Sequence, residues 1–129
     1  MPTHNVAVTA DTSTGLVIAS PSFVPIADGD TLNVSVSGSV PIELVLSSDT
    51  IGRLNPLPDA IVPVAVGETV SFTIDNTASR IYLIQLRPPG RKVSNPGTLP
   101  DSPGTRAIML LPYVTVAATG VVGGLEEFP

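Results

Sequence analysis

Few side chains in this sequence are of types that carry chemistry, and their spacing limits what they can do. Asp28-Gly29-Asp30 sets two carboxylates around a glycine, as the start of a calcium loop would. Calcium takes roughly six to eight oxygens, and no further acids follow at the spacing such loops need. The related tripeptide Val66-Gly67-Glu68 has lost the first acid. Both therefore read as turns. His4 is the single histidine, and there is no cysteine. A blue-copper site needs a thiolate beside paired imidazoles, and a Ser-His-Asp relay needs its imidazole in a core site. His4 is expected on the surface of an N-terminal arm, which serves neither. Glu43, Asp49 and Asp59 are scattered, and nothing marks them as an acid–base pair. The glycine-rich stretch "GVVGG" (120–124) runs into Leu125, Glu126 and Glu127, and those acids would repel a phosphate. No catalytic residue, metal ligand or cofactor is expected.

Positive charge is the one chemical feature with a location. The stretch "RPPGRKVSNPGTLPDSPGTR" (87–106) holds Arg87, Arg91, Lys92 and Arg106, in a chain with six basic and eleven acidic residues. The acids dominate residues 1–86, so a global polyanion binder is excluded. The stretch contains no aromatic side chain, which argues against base stacking and against nucleic acid as a partner. Prolines and glycines interrupt it throughout, so it reads as a long loop without helix or strand. Proline lowers the entropy lost when a segment is fixed. The loop therefore suits docking against a partner in extended form. The other reading is a solvated loop whose charge serves solubility.

The elements around it alternate with period two. "LNVSVS" (32–37), "TVSFTID" (69–75) and "YVTVAAT" (113–119) each put apolar residues on one face and polar residues on the other. "PIELVL" (41–46) and "RIYLIQL" (80–86) are apolar on both faces, which marks central strands covered on both sides. Weaker strand candidates are 5–9, 16–19, 62–66 and 107–111. No stretch of eleven residues keeps helical spacing. The chain has 129 residues with 43% hydrophobic and 13% charged side chains, so residues 1–129 are expected to form one domain with an aliphatic core. So little charge implies a surface partly covered by something else, or a neutral Ser/Thr-rich one. Residues 1–20 show no secretory signal, and no apolar run approaches a membrane span. The expectation is a chain made in the cytoplasm, with no membrane partner.

A repeat underlies the pattern. "VPIADGDTLNVSV" (24–36) and "VPVAVGETVSFTI" (62–74) are offset by 38 positions. Each leads through a polar turn into an apolar strand, so the units are 24–46 and 62–86. Any hairpin wants glycine at its turn. The shared V-P-x-A prefix is what that requirement does not explain, and it points to duplication.

"VGETVSFTIDN" (66–76) resembles the strand patterning of cupredoxin-like and immunoglobulin-like sandwiches. The fold expectation is all-β: an antiparallel β-sandwich, immunoglobulin-like, cupredoxin-like or jelly-roll-like, with the long Pro/Gly-rich loop and terminal arms. The C-terminal arm, 120–129, carries Leu125 and Phe128 as apolar anchors beyond a glycine hinge. In its loop, its arms and its lack of cysteine the chain resembles, in kind, the small β-sandwich decoration or cement proteins of phage capsids. That resemblance implies a non-enzymatic structural protein, incorporated into a virion. Its partners would be copies of itself, with a trimer expected, and a larger assembly such as a capsid. Arg87, Arg91, Lys92, Arg106, Leu125 and Phe128 are the expected partner-binding residues. The alternative is a metal-free binding module for a ligand or carbohydrate.

Chelators are expected to leave the melting temperature unchanged, because no cluster offers enough ligands. A rise of several degrees on adding calcium would overturn the reading of Asp28 and Asp30 as turn residues.

Overall fold

The computed structural model describes residues 2–11, 15–93, 95–97 and 99–113. They are nearly all β. The strands are β1 (Thr3–Asp11), β2 (Leu16–Ser20), β3 (Phe23–Pro25), β4 (Thr31–Gly38), β5 (Ile42–Leu46), β6 (Leu54–Asn55), β7 (Ile61–Val64), β8 (Thr69–Ile74), β9 (Ile81–Arg87) and β10 (Ala107–Leu111). A single turn of helix, α1 (Ser48–Ile51), follows β5. Ser47 caps it, its hydroxyl accepting from Thr50 N–H. The strands form two five-stranded sheets, ordered β2-β1-β4-β8-β6 and β3-β10-β9-β5-β7. Alternation holds along β4, where Leu32, Val34 and Val36 are buried, and along β8, where Phe72 and Ile74 are. Residues from both sheets share one aliphatic cluster, including Val6, Val8, Leu44, Leu46, Ile84 and Leu86.

The centre of the fold is an approximate two-fold relation between the segments that repeat in sequence. Gly29 N–H donates to Ile74 C=O at 2.7 Å, and Gly67 N–H donates to Val36 C=O at 2.8 Å. Ile74 N–H donates to Asp30 C=O, and Val36 N–H to Glu68 C=O. Each acid also caps its own turn: Ala27 N–H donates to Asp30 Oδ2 and Ala65 N–H to Glu68 Oε1. Every member of these pairs is separated from its counterpart by the repeat offset. The strand registers obey the same relation. Asn33 faces Ser71 in the first sheet and Leu46 faces Ile84 in the second, and both pairs join equivalent positions of the two segments. Both turns need a backbone that glycine adopts freely, with φ of 93° at Gly29 and 86° at Gly67.

Two expectations need correction, and a third falls mostly outside the described residues. The sheets are mixed, not antiparallel throughout: β1 runs parallel to β4, and β10 parallel to β9. His4 is not in a loose arm. It lies in β1 opposite Leu32 and is partly buried. Of the expected strand 113–119, Tyr113 makes an isolated bridge to Val17 and the rest lies outside the described residues. The parallel pairings also account for the length of the chain between β9 and β10. Two antiparallel strands can be joined by a tight turn, but parallel neighbours require a crossover that returns the full strand length. Residues 88–106 make that return, with no helix or strand among those described.

The crossover is fastened to its own chain. Asn95 Nδ2 donates to Leu46 C=O at 3.0 Å, Ser102 N–H donates to Ser79 C=O at 2.8 Å, and Val93 packs against the core. On the other face of the second sheet from Leu44 and Ile84, Val45 and Leu83 are still buried. That face is therefore covered, as the apolar character of 41–46 and 80–86 requires. Part of the cover is α1, whose Thr50 Oγ1 donates to Leu83 C=O.

Two glycines separate the physical terms. At Gly38 (φ +105°) an added Cβ would lie 2.5 Å from Ala10 C=O in the neighbouring strand, whereas at Gly67 (φ +86°) it would meet nothing. Gly67→Ala is expected to cost about 1–3 kcal/mol of backbone strain alone. Gly38→Ala adds a backbone clash and should destabilise distinctly more. Equal urea midpoints for the two variants would contradict the close approach of β1 to β4.

Candidate interaction surface

The basic residues of the crossover do not form one patch. Arg87 is the last residue of β9, and its Nε donates to Glu43 Oε1 at 2.8 Å across the β5–β9 pair. Both partners are largely covered. Arg91 and Lys92 are exposed just beyond it, and Arg91 also lines a recess with Pro88, Pro89 and Tyr113. Arg106 lies at the opposite end of the sheet, one residue before β10 begins opposite Ile81. A seven-residue strand separates these ends by about 23 Å. Arg80, which sequence reasoning passed over, is the organising cation at that end. It donates to Asp49 at 2.9 Å and to Asp101 at 2.6 Å, tying α1 to the crossover. Both carboxylates hold its guanidinium further toward the charged form. Leu125 and Phe128 lie outside the described residues.

Both acids of the first turn are engaged in hydrogen bonds. Asp28 Oδ1 accepts from Thr77 Oγ1 at 2.6 Å and from Thr77 N–H at 3.0 Å, joining the two repeat units at their ends. Asp30 is buried. Besides Ala27 N–H it binds His4 Nε2 at 2.7 Å, which fastens the start of β1 to the turn before β4. His4 and Asp30 therefore form a structural clasp. Sequence reasoning missed it, because a parallel β1–β4 pairing is what brings the two together.

The outer face of the first sheet is polar and uncharged over its centre. Asn33 Nδ2 donates to Asn5 Oδ1, Ser71 Oγ donates to Asn33 Oδ1, and Ser35 bonds Thr69. These side chains satisfy one another across three strands. The low charge of the chain thus corresponds in part to a neutral hydroxyl and amide surface.

Among the described residues, the edge of β8 away from β4 is left partly unpaired. Ile74 N–H and C=O both bond toward β4. Main-chain groups alternate sides along a strand, so those of Thr73, Ser71 and Thr69 point to the other edge. Thr73 is met there by Asn55, and Asp75 N–H donates to Arg53 C=O. β6 then ends, so its pairing with β8 does not extend to Ser71 and Thr69. Beside this gap lies a groove of about 390 Å³, lined by Leu57, Pro58, Ile61, Pro63, Val70 and Phe72 among others. Leu57 is 74% exposed and Ile61 41%. Asp59 is the one acid on its lining. The sequence signal was the string "PLPDAIVP" (56–63), where apolar residues alternate with prolines that keep the segment from forming a longer edge strand.

Comparison with known proteins returns no matching family model, no matching curated protein and no matching solved structure. Among the described residues no helix is long and apolar enough to cross a membrane, and no cluster of three or more His, Asp or Glu side chains is placed to hold a metal.

The Thr77 hydroxyl, then the Thr77 N–H, hold the Asp28 carboxyl below its ordinary value of 3.8, with smaller help from the Arg106 and Arg53 charges against some desolvation. A depressed folded value adds stability above pH 3.8, and that share is lost as pH falls through the lower folded value. Asp28→Asn should therefore flatten part of the acid limb of a melting temperature–pH curve while leaving its neutral slope alone. An acid limb identical to wild type would refute the role assigned to the Asp28–Thr77 contact.

Proposed function

We propose that this protein is a non-enzymatic structural component that works through protein–protein contact in a symmetric assembly of its own copies. The observation that carries this reading is the unfinished β8 edge beside the apolar groove of Leu57 and Ile61. Unpaired main-chain groups next to exposed apolar side chains are a template for another chain. In its more specific form, the two sheets are the layers of a β-sandwich of the immunoglobulin-like, cupredoxin-like or jelly-roll-like kind. The assembly is then a ring such as a trimer, built as a decoration or cement layer on a virus particle. Its support is the architectural resemblance of loops and arms, together with the low surface charge. Lys92, exposed at one end of the crossover, is the cation best placed to meet the acidic surface of a neighbouring copy.

A second reading has its own observation. The neutral row Asn5–Asn33–Ser71 suits a module that holds an uncharged hydroxylated ligand such as a carbohydrate. Oligomeric state separates the two. Light scattering after size exclusion should show a concentration-dependent oligomer, and Leu57→Asp should shift it to monomer without lowering the melting temperature, because an exposed substitution changes stability by only about 0.5 kcal/mol. A wild-type chain that stays monomeric at high concentration removes the assembly reading and leaves the module.

A further inference from the structure

We propose that the vacant β8 edge is completed by residues 114–118 of a second copy, added as a strand; this rests on the assembly reading above. The two-fold relation supplies the first argument. β4 and β8 are equivalent strands, and the outer edge of β4 is filled along its whole length by β1, from Thr3↔Thr31 to Ala10↔Gly38. Among the described residues, the equivalent edge of β8 is filled only at Thr73 and Ile74. The fold thus holds one complete strand site and one half-empty counterpart.

Sequence supplies the second argument. The strand that fills the β4 edge presents Val6, Val8 and Ala10 to the core. Val114, Val116 and Ala118 repeat that same V-x-V-x-A pattern. Such a strand would set valines beside half-buried Val70 and buried Phe72, which line the groove, and its main chain against Ser71 and Thr69. Strand addition of this kind takes affinity from the main chain and specificity from alternate side chains.

Geometry shows that the strand comes from another copy. Tyr113 exchanges both main-chain hydrogen bonds with Val17 of β2, at 2.9 Å each. β1 occupies the other side of β2, so Tyr113 lies outside the sheet at its far edge. The vacant site is beyond β8, five inter-strand spacings away, or about 24 Å. Residue 114 is bonded to Tyr113, and consecutive Cα atoms are only about 3.8 Å apart. No residue just after Tyr113 reaches the β8 edge of its own chain while that bridge stands. The contact is therefore head-to-tail, and it closes into a ring or extends into a filament according to its rotation.

A head-to-tail contact has a complementation signature. Val114→Asp with Val116→Asp removes the donor strand and keeps the acceptor edge. Leu57→Asp with Ile61→Lys blocks the acceptor and keeps the donor. Each variant alone should be monomeric at concentrations where wild type assembles. Mixed, they should form a one-to-one dimer that grows no further. Thr115→Pro is a second donor variant, since proline cannot donate to a ladder, and wild-type melting temperatures verify folding. If wild type assembles but the donor variants assemble equally well, or the mixture yields no dimer, the donor strand is wrong while the assembly reading stands. A wild-type monomer at every concentration overturns both.

Discussion

The antiparallel pairing of β4 with β8 is the constraint on which the rest of the structure depends. It joins the two repeat units at their most equivalent residues, Asn33 and Ser71, and its ends are locked by the reciprocal bonds of Gly29 and Gly67. A self-complementary contact between like units has the logic of a dimer interface: if one residue touches another, the reverse contact also forms. Here the two units lie on one chain. Pairing them sets Leu32, Val34 and Val36 beside Phe72 and Ile74 on one buried face. The same relation returns in the second sheet at Leu46 and Ile84. A register slip in the first sheet would turn that apolar row to solvent, so the reciprocal bonds hold the core as well as the strands.

What lies outside the pair breaks the symmetry, and each departure has a place. β7 pairs with β5, but its counterpart β3 is kept from β9 by the insertion of β10. Because β10 runs parallel to β9, the chain must travel back over the sheet, and 88–106 is the path. Proline and glycine suit that path for a physical reason. A return of this kind is usually helical, but prolines remove helical donors, and Gly90, Gly97 and Gly104 take positive φ values of 81°, 74° and 80°. The segment therefore runs irregularly, and it is held by side chains such as Asn95 and Asp101 rather than by its own ladder.

Much of this was legible in residue types alone. Alternation located β4 and β8, residues 5–9 were a weaker candidate that falls within β1, double-faced apolarity located the central strands β5 and β9, and the repeated V-P-x-A-x-G segment contains the two glycine turns that bond reciprocally. Local patterns report which face of a strand is buried. They do not report which strand lies beside it. That is why the parallel pairings, the His4–Asp30 clasp and the crossover role of 88–106 were not visible, since each depends on neighbours far apart in sequence. Arg87 shows the same limit. Counted with the loop by its position in the chain, it belongs to a strand once its partner Glu43 is known. α1 was missed for another reason. Ser47 and Asp49 are ordinary signals of a helix start, but a single turn is too short to show periodicity. The groove was present in the sequence as three prolines around Leu57 and Ile61, yet without topology nothing said that this stretch lies at an unfinished edge.

A sheet edge invites association unless it is shortened, broken by proline or covered, and most edges of this fold are treated in one of these ways. β3 is three residues long and ends in Pro25. β7 is four residues long and carries Pro63, which cannot donate to a ladder. β2 is met by Tyr113. The side of β8 beyond β6 departs from this pattern, because β6 is two residues long and stops before Ser71. The charged side chain closest to a guard there is Asp59, on a lining otherwise of apolar residues and one serine. Among the described residues the chain blunts its other edges and leaves this one both unpaired and apolar, and the proposed head-to-tail contact rests on that asymmetry.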